Sequence, residues 1–116
     1  MKLPYRKRAV IPQAKIDEYL LSRTHETGKH KAVLFGRIGF NETNKDLFRD
    51  ALLEIAHSND INKIRDIVKE GKYFGKSYEI VGTLRGVTGT GTLEVKTVWK
   101  ILENKRIPSL VTVSFM

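Results

Sequence analysis

No cysteine occurs anywhere in the chain, which removes disulfides, thiolate metal sites and cysteine nucleophiles together. That absence leaves the compartment open, because secreted domains without cysteine also exist. No apolar run approaches the roughly 18 residues that a membrane helix needs. The first residues also lack the apolar stretch of a signal peptide, so no membrane span and no leader are expected. Acidic residues are in short supply, 13 against 21 basic ones, for a formal net charge of +8. With 41% hydrophobic and 29% charged residues in 116, the composition is that of one ordinary globular domain, not of a disordered segment.

The positive surplus is unevenly spread. Residues 1–40 carry nine basic and three acidic side chains, residues 71–116 seven and three, and residues 41–70 five and seven. A compact fold that joins the two ends would present one basic face, suited to phosphate backbones or to an acidic protein partner. A basic surface serving solubility alone is the plainer alternative.

Organisation follows from the spacing of apolar residues. Met1–Pro12 reads as an extended arm carrying Arg6-Lys7-Arg8. Ile16, Tyr19 and Leu20 recur at helical spacing between Gln13 and Leu21, and a second helix is expected from about Lys29 to Ile38, stopped by Gly39. Thr43 reads as an N-cap with Asp46 as its partner three residues on, ahead of the stripe Leu47, Phe48, Ala51, Leu52 and Ile55. A fourth, shorter helix is expected from Ile61 to Glu70, with Asp60 as cap and Ile61, Ile64 and Val68 inward. After Gly71 the period changes to two. Strands are expected at Ser77–Arg85, Thr92–Leu102 and Ser109–Phe115, the last with Val111, Val113 and Phe115 on one face. The expected fold is α+β: three to four N-terminal helices packed on one face of a C-terminal antiparallel sheet of three strands, with a fourth as the option. The expected partition of the single domain 1–116 is a basic arm (1–12), a helical part (13–70) and the sheet (72–116).

The glycine-rich stretch Gly86–Gly91 lacks the lysine-serine or lysine-threonine ending of a phosphate loop and leads into a strand, so it reads as a hairpin turn. His25 and His30 are five residues apart, which does not suit a helical zinc pair, and no metal or other cofactor is expected. The segment His25-x-x-Gly28-Lys29-His30-Lys31 gathers two imidazoles and two ammonium groups at a helix start. Metal-free phosphodiester cleavage needs a base, an acid and a cation for the phosphorane charge, and these groups supply that chemistry. A solvated loop with packing histidines is the plainer reading of the same pattern. On the polar sheet face Thr83, Arg85, Lys96, Thr112 and Ser114 would project together, with Arg85 and Lys96 as phosphate contacts beside Lys29 and His30. Thr97 falls among Leu93, Val95 and Trp99: either it is buried and bonded to backbone, or a bulge turns it toward a cleft. Trp99 has the neighbours of a core residue, although it could also stack on a base.

Leu3-Pro4, Arg8-Ala9-Val10-Ile11, Tyr19-Leu20-Leu21, His25-x-x-Gly28-x-x-Lys31-Ala32, Phe35 and Gly39-Phe40 together resemble a bacterial domain that occurs alone and at the C-terminal ends of large secreted or phage-associated proteins. There it occupies the place of polymorphic and contact-dependent toxin modules. Val81 and Gly86 in the first hairpin, Thr97-Val98-Trp99 and Pro108-x-Leu110-Val111-Thr112 continue the likeness. The order of elements also resembles that of barnase-like, colicin-like and RelE-like ribonuclease toxins. The resemblance implies a metal-independent ribonuclease toxin acting on RNA, tRNA in particular, in the bacterial cytoplasm after delivery as part of a secreted protein. A cognate acidic immunity or antitoxin protein is implied as partner, with a host activating protein as an option. The catalytic positions implied are His25, Lys31, Thr97 and Thr112, with no histidine in the sheet to serve as second proton-transfer group. A non-catalytic module that binds nucleic acid or an acidic protein is the competing reading.

Overall fold

The computed structural model describes residues 1–21 and 29–116, with Glu18, Tyr19 and Lys29 described by backbone alone. Four strands, β1 (Lys63–Lys69), β2 (Lys72–Arg85), β3 (Thr92–Leu102) and β4 (Ser109–Phe115), form one antiparallel meander in chain order. The period of two in β2 and β3 sends Tyr78, Ile80 and Leu84, then Val95, Thr97 and Trp99, into the core. Their neighbours Ser77, Glu79, Lys96 and Val98 are left on the opposite face, as strand alternation requires.

The helices precede the sheet. A helical turn α1 (Gln13–Lys15) runs on into a π-helical turn, Ile16–Leu20, closed by the Leu21 N–H donating to the Ile16 carbonyl at 3.1 Å. Then come α2 (Lys29–Arg37) and α3 (Lys45–Ser58). α3 buries Phe48, Leu52, Ile55 and Ala56 on one stripe. Phe48 meets Phe35 of α2 at a ring-centroid distance of 4.8 Å, and Phe35 in turn meets Phe115 of β4 at 5.2 Å. Tilted pairs of this kind contribute about 0.5–1.5 kcal/mol each beyond the area they bury, and these two tie both helices to the edge strand β4.

The proportions expected from the sequence are corrected in the middle of the chain. The segment expected as a fourth helix is instead edge strand β1, so the helical part ends at Ser58 and the sheet has four strands. Ile61, Ile64 and Val68 do fit a helical stripe, yet Ile64 and Val68 are exposed. Two features outweigh that spacing. Ile64, Ile67 and Val68 are β-branched, which favours strands. Glu70 and Gly71, at φ 51° and 74°, form a two-residue turn with Lys69 paired to Lys72, the left-handed hairpin turn that suits strand twist. β2 accordingly starts five residues earlier than expected.

Three smaller expectations are corrected as well. The first twelve residues are not a free arm. Leu3 is fully buried, Lys2 pairs with Asp60, and Val10 lies parallel to Ser109, its N–H donating to the Pro108 carbonyl at 2.8 Å. Thr43 does not cap α3. The cap position is Asn44, and the Thr43 N–H and hydroxyl both donate to Asn41 Oδ1. Finally, β4 contains a bulge: Val98 faces Thr112 while Trp99 faces Leu110. Val111 is the extra residue, so Leu110 and Val113, three apart, are both buried.

Candidate functional site

The outer sheet face is organised by its register. Lys63, Glu79, Val98 and Thr112 form one row across the four strands, and Arg65, Ser77, Lys100 and Ser109 form the next. On the other side of the first row, Val81, Lys96 and Ser114 are aligned. Directly paired residues share a face of the sheet, so four cations and four hydroxyls are gathered from segments remote in sequence. Lys63, Arg65, Ser77, Glu79, Lys96 and Val98 line a concavity of about 240 Å³.

Among the described residues Glu79 is the single carboxylate lining it. The Asn62 amide donates to its Oε2 at 2.7 Å, and Lys96 Nζ stands 3.5 Å from its Oε1. The Asn62 hydrogen bond, working against desolvation and aided by the charge of Lys96, holds the carboxyl below its ordinary value. Glu79 is therefore ionised at neutral pH and neutralises part of the Lys96 charge. Arg65 has no acidic partner among the described residues.

At the β4 margin a second contact matters more. Lys31 Nζ, from the first turns of α2, donates to Thr112 Oγ1 at 3.1 Å across 81 residues of sequence, in a half-buried position. Packing places it there: Phe35, one turn after Lys31, sits against Phe115, three residues after Thr112. An ammonium and a hydroxyl at this separation form a compact, cationic hydrogen-bonding pair, able to hold an anionic oxygen.

The expected site residues are distributed unequally. Lys31 and Thr112 are brought into contact, and Lys96 lies on the same face one row away, opposite Ser114. His25 lies outside the described residues. His30 is exposed on α2, and Lys29 is described only as its first helical residue. Arg85 does not join them. It pairs with Thr92 at the far end of β2, four residues beyond the partner of Lys96, and lines a separate depression with Phe40, Leu47 and Gly86. Thr97 is corrected outright as a catalytic position. It is fully buried, donating to the Ile80 carbonyl at 2.9 Å and accepting from Trp99 Nε1 at 2.8 Å, so it meets no substrate. Trp99 is likewise fully buried.

Lys63, Arg65, Ser77 and Glu79 were not anticipated. Lys63 and Arg65 fall in the segment expected as helix, and the cue to their role is the Glu70-Gly71 turn. The basic face also does not arise from joining the two ends of the chain, since two of its cations come from the slightly acidic middle. The turn Gly86–Gly91 is a hairpin closed by the Gly86 N–H on the Gly91 carbonyl at 2.9 Å. Among the described residues no three histidine, aspartate or glutamate side chains converge as a metal site, and no helix is long and apolar enough to cross a membrane.

No curated protein and no solved structure matches the chain. Residues 2–115 match the model of one family, and on that match the chain belongs to the domain of unknown function DUF6883.

Proposed function

We propose that this domain is a metal-independent endoribonuclease of the bacterial toxin kind, held in check by an acidic immunity protein. The observation that carries the reading is the 3.1 Å contact between Lys31 and Thr112. Both residues belong to the resemblance with secreted toxin modules, they are distant in sequence, and they meet beside a face of cations and hydroxyls. A buried core contact would need no ammonium group, and a merely soluble surface would need no hydroxyl set against it.

The chemistry assigned to the pair is transition-state stabilisation. The ribose 2′-hydroxyl attacks the adjacent phosphorus as its proton passes to a base. The 5′-oxygen of the next nucleotide leaves with a proton from an acid, and a 2′,3′-cyclic phosphate remains. Lys31 offsets the charge that develops on the phosphorane, and the Thr112 hydroxyl orients a non-bridging oxygen. His25 takes one of the two proton-transfer roles, because imidazole titrates in the useful range.

The test is incubation of the purified chain with total RNA and with a purified tRNA fraction, in the presence of a chelator. Discrete fragments ending in cyclic phosphate are expected, together with their loss in His25→Ala and Lys31→Met. RNA that stays intact but bound, with and without a cell extract to supply a host factor, overturns the enzyme in favour of a non-catalytic binding module.

A further inference from the structure

We infer that the outer sheet face is a docking surface for the sugar–phosphate backbone of helical RNA, running from Lys63 and Arg65 on β1 to Thr112 on β4. The inference rests on the ribonuclease reading and names the form of substrate that such a site would take.

Charge comes first. Among the described residues the lining of the concavity carries three cations and one carboxylate, and Lys100 adds a fourth cation in the row of Arg65 and Ser77. Glu79 is held by Asn62 and feels the charges of both Lys96 and Lys63, so one carboxylate offsets only part of the positive charge on a face where Lys63 and Arg65 are both exposed. Phosphate contacts of this kind supply most of the affinity for a nucleic-acid backbone.

The neutral groups decide between helical and single-stranded ligands. Among the described residues no aromatic side chain lines the concavity, and proteins that hold single strands without sequence preference rely on aromatic platforms for the bases. What the face offers instead is hydroxyls, at Ser77, Ser109, Thr112 and Ser114. These match the 2′-hydroxyls and phosphates that an RNA helix displays across its wide, shallow minor groove. The dimensions agree. Three inter-strand spacings of about 4.8 Å separate Lys63 from Thr112 across the row, roughly 14 Å, a reach that takes in several neighbouring sugar–phosphate units of one strand. A stem laid along this row would carry its backbone to the Lys31–Thr112 pair.

The experiment measures binding by fluorescence anisotropy with the full chain carrying Lys31→Met, so that the probe is not cut. The probes are an RNA stem–loop, the same sequence as a DNA stem–loop, an unstructured RNA strand, and polyglutamate as a mimic of an acidic protein. The RNA stem–loop is expected to bind more tightly than the other two nucleic acids. Lys63→Glu and Arg65→Glu should each weaken it by roughly tenfold and lower the salt slope by about one. Arg85→Glu makes the same charge change outside the concavity and should leave binding unchanged, and thermal melts verify that all three variants fold. Tighter binding of the unstructured strand overturns the inference, as does stem affinity untouched by the reversals. Reversals that abolish polyglutamate binding but spare the stem assign the face to an acidic protein and overturn it too. If wild-type chain cuts RNA while Lys63→Glu and Arg65→Glu bind the stem normally, the docking surface falls and the catalytic reading stands. A stem held through Lys63 and Arg65 but never cut has the converse meaning.

Discussion

Trp99 Nε1 donates to Thr97 Oγ1 at 2.8 Å, and the Thr97 hydroxyl donates in turn to the Ile80 carbonyl at 2.9 Å, all of it fully buried. One hydroxyl thus satisfies the indole and a β2 carbonyl at once, where either group left alone would bear a desolvation cost.

Thr97→Val keeps the shape and removes that hydroxyl. It is expected to lower unfolding free energy by about 1–3 kcal/mol, the cost of a buried polar group left unpaired, measured by urea denaturation. Thr97→Ser keeps the chain of hydrogen bonds and should lose less. RNA affinity of the folded Val variant should be unchanged. A Val variant as stable as wild type would show that the hydroxyl contributes nothing to the core.

Lys31 and Thr112 act as a unit in the proposed reaction. Lys31→Met and Thr112→Val should each reduce RNA cleavage by about 100-fold or more, the usual effect of removing one preorganised donor. The double variant should be little worse than either single one, because groups that work together are not additive. Both sites are only half-buried, so melting temperatures should shift by a few degrees at most. Fully multiplicative losses would mean that the two residues act separately.

The carboxyl of Glu79 offers a pH test. Its folded value is depressed below the ordinary 4.5 by the Asn62 hydrogen bond first, with desolvation opposing. A depressed carboxyl contributes stability above its unfolded value, and that contribution is lost as pH falls through the folded one. Glu79→Gln should therefore be less stable than wild type at neutral pH, with the gap closing below about pH 4. A side-chain NMR titration should find Glu79 below the usual range, and Asn62→Ala should return it upward. An unshifted midpoint in both proteins would contradict the assigned cause.

Gly86 marks where the β2–β3 hairpin docks on the end of α2. Val87 N–H and Thr90 Oγ1 both donate to the Ile38 carbonyl, at 2.9 and 2.7 Å. A Cβ at position 86 would stand 2.4 Å from that same oxygen. Gly86→Ala is expected to cost about 1–3 kcal/mol through overpacking, read by thermal melting. A variant that melts like wild type would mean that the hairpin moves away freely.

The course of β2 and β3 was legible in the sequence because alternation there is strong on both faces, from Tyr78 to Leu84 and from Leu93 to Ile101. β1 was not, for a physical reason. Ile61, Ile64 and Val68 satisfy a helical spacing, while an edge strand with both sides exposed shows no alternation to oppose it. The β-branched Ile64, Ile67 and Val68 and the pairing with β2, closed by Glu70 and Gly71, distinguish the two. The burial of Thr97 was one of two readings open at that position, and the choice required knowing that Ile80 and Trp99 lie within reach of its hydroxyl.

The amino-acid sequence by itself determined the local matters: helices before strands, the hairpin at Gly86–Gly91, the absence of thiol chemistry, and the choice of Lys31 and Thr112 as polar residues of interest. The tertiary structure alone decided which polar residues share a face. It joined Lys31 to Thr112 through the packing of Phe35 on Phe115, carried Arg85 away along its strand, and drew Lys63 and Arg65 from the acidic middle of the chain to the basic face. Register across strands depends on turns and bulges far from the residues it aligns, and a one-residue shift such as that at Val111 changes which face a side chain meets.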